Sequence, residues 1–358
     1  DGVVNGCPSH LLEPARTNLL PYSEDFSQSA WTKSNSTITS NSVISPDGTL
    51  NASTLTDNTA NGIHRLRDSV SFSASTDYSL SVFAKKGTLS NIQLALINTA
   101  NSSTSSRVFD LENGVLGESL NNQTLSNSKI TDYGNGWFKC EITAQFTSNP
   151  NTYQITLAPQ SSGNSTTVNQ VTYDGNGNGN VYLWGAQVEQ ASYPTSHIPT
   201  SGSAVTRVAE TANGAGDAST FNDSEGVLMA EISALANDGT YKIISIKNSS
   251  SNAYENTLNI QYTATSNQIA VVYRVGNSSL VVFIYNINSS ITNSKVCFKY
   301  KSGDFAMWVD GFEVGQSANT TMIPNETLSE ILFSRSDNIG DFYGNTKQIQ
   351  YFDSALND

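Results

Sequence analysis

The amino-acid sequence predicts an all-β protein built from two tandem antiparallel β-sandwich (jelly-roll) domains. Three observations support this prediction. Apolar and polar residues alternate at a period of two, short strand-like runs recur about every 8–12 residues, and Gly, Asn, Asp and Ser fill the turns between them. Helical periodicity is nearly absent from the chain.

Two runs in the first half show this alternation most clearly. In YSLSVFAKK and WFKCEITAQF every second residue is apolar, namely Tyr78, Leu80, Val82, Ala84, Phe138, Cys140, Ile142, Ala144 and Phe146. Strands of this kind bury one side and expose the other in an antiparallel sheet. The same rule groups four apolar positions of VYLWGAQVE on one buried face, namely Tyr182, Trp184, Ala186 and Val188.

The second half resumes the pattern with new strands, from VLMAEISAL to DFAMWVDGFEVG. In the last of these runs, Asp310 and Gly311 stand between two apolar segments. A two-residue type I′ turn needs positive φ at both central positions, and this pair accepts it readily. The sequence therefore predicts a β-hairpin whose turn is Asp310-Gly311.

A polar, Gly-rich segment separates the two strand-dense halves. It covers residues 199–220, and we place the boundary near Ala204 within it. This gives a carbohydrate-binding-module-like first domain of residues 1–204 and a second domain of residues 205–358, each long enough for a core of its own. The prolines of YPTSHIPT favour an extended connector that leaves the first domain.

Composition narrows the range of partners. The chain has 358 residues, of which 37% are hydrophobic and only 14% charged, and its net charge is −13. An acidic chain without a basic run is a poor partner for nucleic acid or for an anionic membrane surface, and no apolar stretch approaches the roughly 20 residues that span a bilayer. Three cysteines make neither a disulfide framework nor a zinc site. Because the sequence begins at Asp1 without Met, we expect a fragment or a processed product.

The stretch DGNGNG starts like a calcium loop. Asp174, Asn176 and Asn178 occupy ligand positions, but the twelfth position, which should be a bidentate Glu, is Gly185. The flanking segments are also β-like rather than helical. The sequence therefore favours a glycine hairpin turn, with Asp174 as the weak alternative metal ligand. We expect no cofactor, and a structural calcium ion elsewhere in the first domain stays open.

Exposed aromatic residues are the other candidates for a ligand site, because sugars stack on the faces of aromatic rings. Trp137 alternates with Lys139 and Glu141, so we expect its ring to be partly exposed and these three residues to contact a ligand. Packing under a loop is the alternative for Trp137. Trp31, in the polar context SQSAWTKSN, is a further ligand candidate, and Trp308 alternates with Ala306 and Asp310, which leaves its side of the strand ambiguous.

Signatures of catalysis are missing from the sequence. There is no G-x-S-x-G elbow, no H-E-x-x-H and no E-x-D-x-x-E run, and the three histidines stand in unrelated contexts. In KQIQYF, Gln350 stands where the Q-I-H motif of jelly-roll alginate lyases has its histidine. We therefore expect a protein that is not an enzyme.

Several stretches resemble known modules. LLEPARTNLLPYSEDFSQSAWTKS, GNGWFKCEIT and VYLWGAQVEQASYPTSHIPTSGSAVTRVAE resemble a carbohydrate-binding-module-like jelly roll of bacteriophage tail fibres and other virion surface proteins. The second half, with VCFKYKSGDFAMWVDGFEVG, resembles the concanavalin A-like (laminin-G-like) sandwich that often follows it. The resemblance covers most of the chain and supplies no fixed set of catalytic or sugar-binding residues.

The resemblance implies a non-catalytic adhesin on the virion surface or in another extracellular setting. Its partners would be host cell-surface polysaccharide or glycan and other virion subunits, and the chain would form a homo-oligomer, a trimer by analogy. Two alternatives stay open. One is a structural capsid decoration or head fibre that binds no sugar, and the other is a polysaccharide depolymerase.

Overall fold

The computed structural model describes residues 9–98, 104–121, 124–146, 152–160, 172–247, 254–325, 327–335 and 340–356. These residues form strands, turns and irregular segments but no helix, so the predicted all-β class is confirmed. In the same described ranges no helix exists that is long and apolar enough to cross a membrane.

The strands of the amino-terminal part are β1 (His10–Leu12), β2 (Arg16–Asn18), β3 (Thr32–Ser34), β4 (Ser36–Val43), β5 (Ala52–Asp57), β6 (Asn61–Gly62), β7 (Arg65–Ser71), β8 (Asp77–Lys86), β9 (Asn91–Asn98), β10 (Thr104–Asp110), β11 (Val115–Asn121), β12 (Thr124–Asp132), β13 (Trp137–Gln145), β14 (Thr152–Gln160), β15 (Tyr173–Asp174), β16 (Asn180–Glu189) and β17 (Val205–Arg207). Those of the carboxy-terminal part are β18 (Asn213–Ala215), β19 (Glu225–Ala234), β20 (Lys242–Lys247), β21 (Leu258–Tyr262), β22 (Gln268–Val275), β23 (Ser278–Asn286), β24 (Ser294–Lys301), β25 (Phe305–Val309), β26 (Phe312–Ser317), β27 (Glu330–Leu332) and β28 (Gly344–Phe352).

The chain divides into two compact units. The first unit runs from Ala15 to Val208, and the second contains Ala209–Asp358 together with the segment that ends at Pro14. The division therefore differs from the expected one at both ends of the first domain. β17 pairs with β2 and extends the first unit beyond residue 204, whereas β1 pairs with β28 and belongs to the second unit.

The first unit is a sandwich of two six-stranded antiparallel sheets. Their strand orders are β12-β13-β8-β16-β5-β4 and β11-β10-β9-β14-β7-β3. The main core lies between them and includes Leu80, Val82 and Ile142 from the first sheet and Leu94 from the second. The alternation predicted for β8 and β13 is confirmed, because their apolar positions line this core and the intervening positions lie on the outer face of the sheet.

β16 changes faces halfway along its length. Val181 and Leu183 contribute to the main core, as do Ala186 and Val188, so the inward positions shift by one residue between the two pairs. The pairing of β16 with β8 is correspondingly irregular between Trp184 and Gln187. The prediction that Tyr182, Trp184, Ala186 and Val188 share a face is therefore wrong, because a β-bulge carries one extra residue and period-two counting does not cross it.

Replacement of Gly185, at the bulge, by alanine is expected to destabilise the first unit by about 1–3 kcal/mol. Its φ of +62° is a left-handed conformation, and an added Cβ would lie 3.1 Å from the Phe83 ring and 3.3 Å from His197. Chemical denaturation measures the loss. As a control, Gly48→Ala has a φ of +87° but open space around the new Cβ, so it tests strain without the contact. A smaller loss at Gly185 than at Gly48 would contradict this account.

The second unit is also a sandwich of two six-stranded antiparallel sheets. Their orders are β1-β28-β19-β24-β25-β26 and β18-β27-β20-β21-β22-β23, with the core between them. The predicted hairpin is confirmed, because Val309 pairs with Phe312 around a two-residue turn in which Asp310 and Gly311 have φ of +51° and +86°.

Candidate functional site

Trp31 is a core residue of the first unit. Its ring is fully buried, lies 5.1 Å from the Phe26 ring, and donates its indole N–H to the Tyr22 carbonyl oxygen at 2.8 Å. The expectation that Trp31 contacts a ligand at the surface is therefore wrong. The polar residues around it form a turn, in which Asp25 accepts hydrogen bonds from Ser27, while the indole itself folds inward.

Trp137 is also buried, with 2% of its surface exposed. It lies on the outer face of its sheet, as the alternation predicts, but a second apolar cluster covers it there. This tryptophan cluster consists of Ala52, Phe83, Trp137 and Trp184. The Trp137 indole N–H donates to the Ile44 carbonyl oxygen at 3.1 Å. Its predicted partial exposure is wrong, because a loop packs on this face, which was the alternative considered for it.

Lys139 and Glu141 form an ion pair next to the tryptophan cluster. The Lys139 ammonium lies 2.8 Å from the Glu141 carboxylate and donates to the Thr195 carbonyl oxygen at 2.9 Å. Only 8% and 12% of the two side chains are exposed. The pair therefore fastens a chain segment instead of facing solvent, which contradicts the expectation that these residues are open to a ligand.

The segment that Lys139 holds comprises residues 193–200, which we call the strap. Glu189, fully buried, accepts hydrogen bonds from the Thr195 backbone N–H at 2.7 Å, the Thr195 hydroxyl at 2.6 Å and the Gln187 amide at 2.8 Å. Gln187 in turn accepts from the Ile198 backbone N–H at 2.7 Å. The strap therefore lies against the first unit and is not the extended connector that its prolines suggested.

His197 brings the strap against the tryptophan cluster. Its ring centroid lies 4.7 Å from that of Trp184, and its Nε2 lies 3.0 Å from the Glu24 carboxylate. Sequence reasoning missed this arrangement. The one available signal was the run QVEQ, in which amide and carboxylate side chains occupy the outer positions of a strand and need partners once they are covered.

The DGNGNG loop is a turn organised by its own side chains. The Asn176 side-chain oxygen accepts hydrogen bonds from the backbone N–H groups of Asn178 at 2.8 Å and Gly179 at 3.0 Å, and Gly179 also donates to Asp57 at 2.9 Å. Asp174 is exposed at the end of β15. Within the described residues, no group of three or more His, Cys, Asp or Glu side chains is placed to hold a metal ion.

The second unit carries an open groove, which we call the Trp308 groove. It has a volume of about 520 Å³ and lies on the outer face of the sheet that contains β19, β24, β25 and β28. Its lining residues are Val227, Met229, Lys295, Cys297, Lys299, Trp308, Gly311, Gln350, Phe352 and Leu356. Most of these are apolar, although the outer face of a β-sandwich sheet is normally polar.

Strand register fixes the floor of this groove. Gln350 is paired with Met229, Met229 with Cys297 and Cys297 with Trp308, so the four side chains form one row across four strands. Three strand spacings make this row about 14 Å long. The Trp308 ring at its end is half-buried, and the Lys299 ammonium lies 5.4 Å from the ring centroid. The ambiguity over Trp308 is thereby resolved, since it lies on the outer face with its ring in a recess.

Two lysines supply the charge at the groove. Lys299 is almost fully buried and pairs with Asp304 at 3.0 Å. Lys295 is 60% exposed, and its ammonium lies 3.7 Å from Glu231, which binds Lys347 more closely at 2.8 Å. Burial raises the pKa of the Cys297 thiol, and the positive charge of Lys295 only partly opposes this. The thiol is therefore protonated at neutral pH.

A smaller polar recess borders the Asp310-Gly311 hairpin. It has a volume of about 370 Å³, and its lining includes Tyr285, Phe312 and three asparagines, Asn286, Asn288 and Asn293. The Phe312 side chain is 74% exposed. Its ring therefore projects from the hairpin instead of forming a fixed floor as Trp308 does.

Fold and groove define an all-β chain of two jelly-roll-type sandwiches, the second with one wide apolar groove on an outer sheet face. No family model and no curated protein matches the sequence. Similar solved structures include the CBM40 of the Ruminococcus gnavus IT-sialidase, with 11% identity over 42% of this chain and 92% of that one, at a TM-score of 0.34.

Two further structures are similar to different extents of the chain. Domains LG4-5 of the mouse laminin α1 chain match with 9% identity over 84% of this chain and 90% of that one, at a TM-score of 0.29. A heptameric SAP-like pentraxin from Limulus polyphemus matches with 14% identity over 40% of this chain and 70% of that one, at a TM-score of 0.32. Similarities at this level assign no function to the chain.

Proposed function

We propose that the chain is a non-catalytic glycan-binding module of a virion surface protein, and that the Trp308 groove is its sugar site. The observation that supports the proposal is the large indole ring of Trp308, held at the end of a row of side chains in an open groove whose lining also includes Phe352. An apolar recess of this size on a sheet face is the usual form of a ligand site or a contact site.

The groove supplies both kinds of contact that a saccharide needs. The apolar face of a pyranose ring would stack on the indole of Trp308, whose orientation is restrained by the Lys299 ammonium beside it. Hydroxyl groups would accept hydrogen bonds from Lys295 and from the exposed Gln350 amide, which has both a donor and an acceptor. The 14 Å row would accommodate more than one sugar ring.

The lining favours binding over hydrolysis. Glycoside hydrolysis uses two carboxyl groups on either side of the scissile bond. None of the described residues that line the groove is a carboxylate or a histidine. Cys297 is a poor nucleophile at neutral pH, since the thiolate is the reactive form and the raised pKa disfavours it.

The virion setting is part of the proposal and is supported by the sequence resemblance. A tail-fibre or other surface protein would present several copies of the groove to one cell in a homo-oligomer. Single saccharide contacts are weak, and linking several of them raises the overall avidity by orders of magnitude. Host cell-surface polysaccharide and neighbouring virion subunits are the expected partners.

A structural role is the second candidate. The groove is apolar enough to receive an apolar side chain of a neighbouring subunit, because Val227, Met229, Phe352 and Leu356 line it. Loss of such a contact would change assembly and leave any glycan response unaffected. The two candidates therefore differ in what the same groove mutation should alter.

Replacement of Trp308 by alanine is expected to reduce binding to a responsive glycan by at least about tenfold, which corresponds to roughly 1.4 kcal/mol. A glycan array followed by calorimetry would measure the change. Tyr241→Ala is the matched control, because Tyr241 is an exposed aromatic of the same unit outside the groove. Unchanged binding by Trp308→Ala, with a responsive wild type, would remove the groove from the proposal.

Cys297 offers a second readout inside the groove. A bound saccharide should slow its alkylation at alkaline pH, where a larger fraction of the thiol is ionised, and mass spectrometry of the Cys297 peptide would follow the reaction. No binding of any host surface glycan by the oligomer would overturn the glycan-binding function. A drop in the viscosity of host polysaccharide on incubation would instead favour a depolymerase.

A further inference from the structure

β23 is an edge strand of unusual composition. It ends the strand order β18-β27-β20-β21-β22-β23, and in the described part of the chain β22 is the one strand to which it is hydrogen-bonded. Its nine residues, SSLVVFIYN, contain no charge and no proline. An edge strand exposes a row of backbone donors and acceptors, and natural proteins normally protect such a row with charges, prolines or bulges. β23 has one bulge, at Leu280 near its start, and its pairing with β22 is regular over residues 281–286.

The outward side chains of β23 are apolar as well. Val281 lies in the core of the second unit, whereas its neighbours Val282 and Ile284 are 47% and 57% exposed. Both are β-branched residues, which favour extended pairing. The strand therefore presents apolar side chains on the outer face of its sheet, beside an edge of backbone groups that no described strand pairs with. On the opposite side, Phe283 packs against Gly315 of β26.

The absence of charge extends well beyond the strand. Residues 275–294 contain no Asp, Glu, Lys or Arg, although 14% of the whole chain is charged. The edge strands β11, β12 and β26 differ in this respect, since β12 contains Lys129 and Asp132, β11 contains Glu118 and β26 contains Glu313. Charged side chains of this kind oppose the approach of another strand at those edges. The edge strand β4 is also uncharged, but it consists mainly of Ser, Thr and Asn.

We propose that β23 is an interaction surface on which a second copy of this chain pairs, edge to edge and antiparallel. Two identical edges related by a two-fold axis are complementary to each other, because each backbone donor of one copy meets an acceptor of the other. The six-stranded sheet that ends at β23 in one copy would thus continue into the same sheet of the second copy.

The charge distribution favours a second copy over an unrelated partner. Each copy carries a net charge of −13, so two copies repel one another over most of their surfaces. That repulsion is weakest along residues 275–294, where neither copy has a charged side chain. A positively charged partner would find no opposite charge to pair with on this edge, whereas a second acidic copy of the chain would meet no like charge there. The inference does not depend on glycan binding.

Sedimentation velocity and light scattering of the full chain, at low and high micromolar concentrations, would test this pairing. The wild type should approach twice its 38.4 kDa mass as concentration rises. Ile284→Lys and, as a second variant, Val282→Lys should each weaken the association by at least about tenfold, since the lysines of the two copies would bring like charges together across the paired strands. Hydrogen exchange in β23 should slow with wild-type concentration.

Val115→Lys is the control for these variants. Val115 is 50% exposed on the edge strand β11 of the first unit, where the lysine should leave the association unchanged. Circular dichroism would confirm that every variant is folded. A wild type that stays monomeric at high concentration would overturn the proposal, and so would an oligomer that neither β23 lysine weakens.

Discussion

Replacing Trp137 with alanine is expected to lower the free energy of unfolding of the first unit by about 3–5 kcal/mol. The substitution would leave a cavity among Ala52, Phe83 and Trp184 and would remove the hydrogen bond to the Ile44 carbonyl oxygen. Chemical denaturation followed by circular dichroism would measure the loss. Hydrogen exchange read peptide by peptide would assign it to the first unit, because a chain of two units can unfold in two steps.

Trp308→Ala is the matched control for this substitution. Trp308 is half-buried in an open groove of the second unit, so its loss should leave the stability of the first unit unchanged. Trp31→Ala, in the main core, should destabilise the first unit like Trp137→Ala. A loss below about 1 kcal/mol for Trp137→Ala would mean that the ring is exposed, as the sequence pattern alone suggested.

Glu189→Ala is expected to cost the first unit about 3 kcal/mol or more and to release the strap. Its carboxylate is the acceptor for two donors of Thr195 and for the Gln187 amide. Each buried donor left without a partner costs about 1–3 kcal/mol, and the costs of neighbouring donors add only in part. Limited proteolysis should then cleave within the strap, residues 193–200, where the wild type resists cleavage.

Glu118→Ala serves as the control for the loss of a carboxylate. Glu118 is exposed on β11, and a surface substitution of this kind changes stability by no more than about 0.5 kcal/mol. If Glu189→Ala unfolded at the same denaturant concentration as Glu118→Ala, with the strap still protected, the hydrogen bonds to Glu189 would not be what holds the strap.

The architecture could be predicted because strand periodicity is a local property. Each residue of β8 and β13 lies on the side opposite to its neighbours, so counting by two separates the core positions Leu80 and Ile142 from Ser81 and Glu141. The Asp310-Gly311 turn could be predicted for the same reason, since its positive φ values depend on the two residues themselves.

The binding surface could not be predicted in the same way. Periodicity separates the two faces of a sheet but does not say what packs on each of them. On the outer face of the first unit, the strap and the loop at Ile44 cover Trp137 and Lys139. On the outer face of the second unit, the area around Trp308 is open. The better candidate for a sugar-binding aromatic residue is therefore Trp308, whose side of the strand the sequence left ambiguous.

The sequence by itself determined that this chain is an all-β protein with alternating strands and a tight Asp310-Gly311 hairpin, because those features follow from residues close together in the chain. Only the tertiary structure decided that Trp137 is buried, that β16 changes faces at Gly185, and that the groove lies at Trp308. Each of these depends on contacts between residues far apart in sequence. Local alternation separates the two faces of a sheet, but it does not determine which distant segment packs on each face.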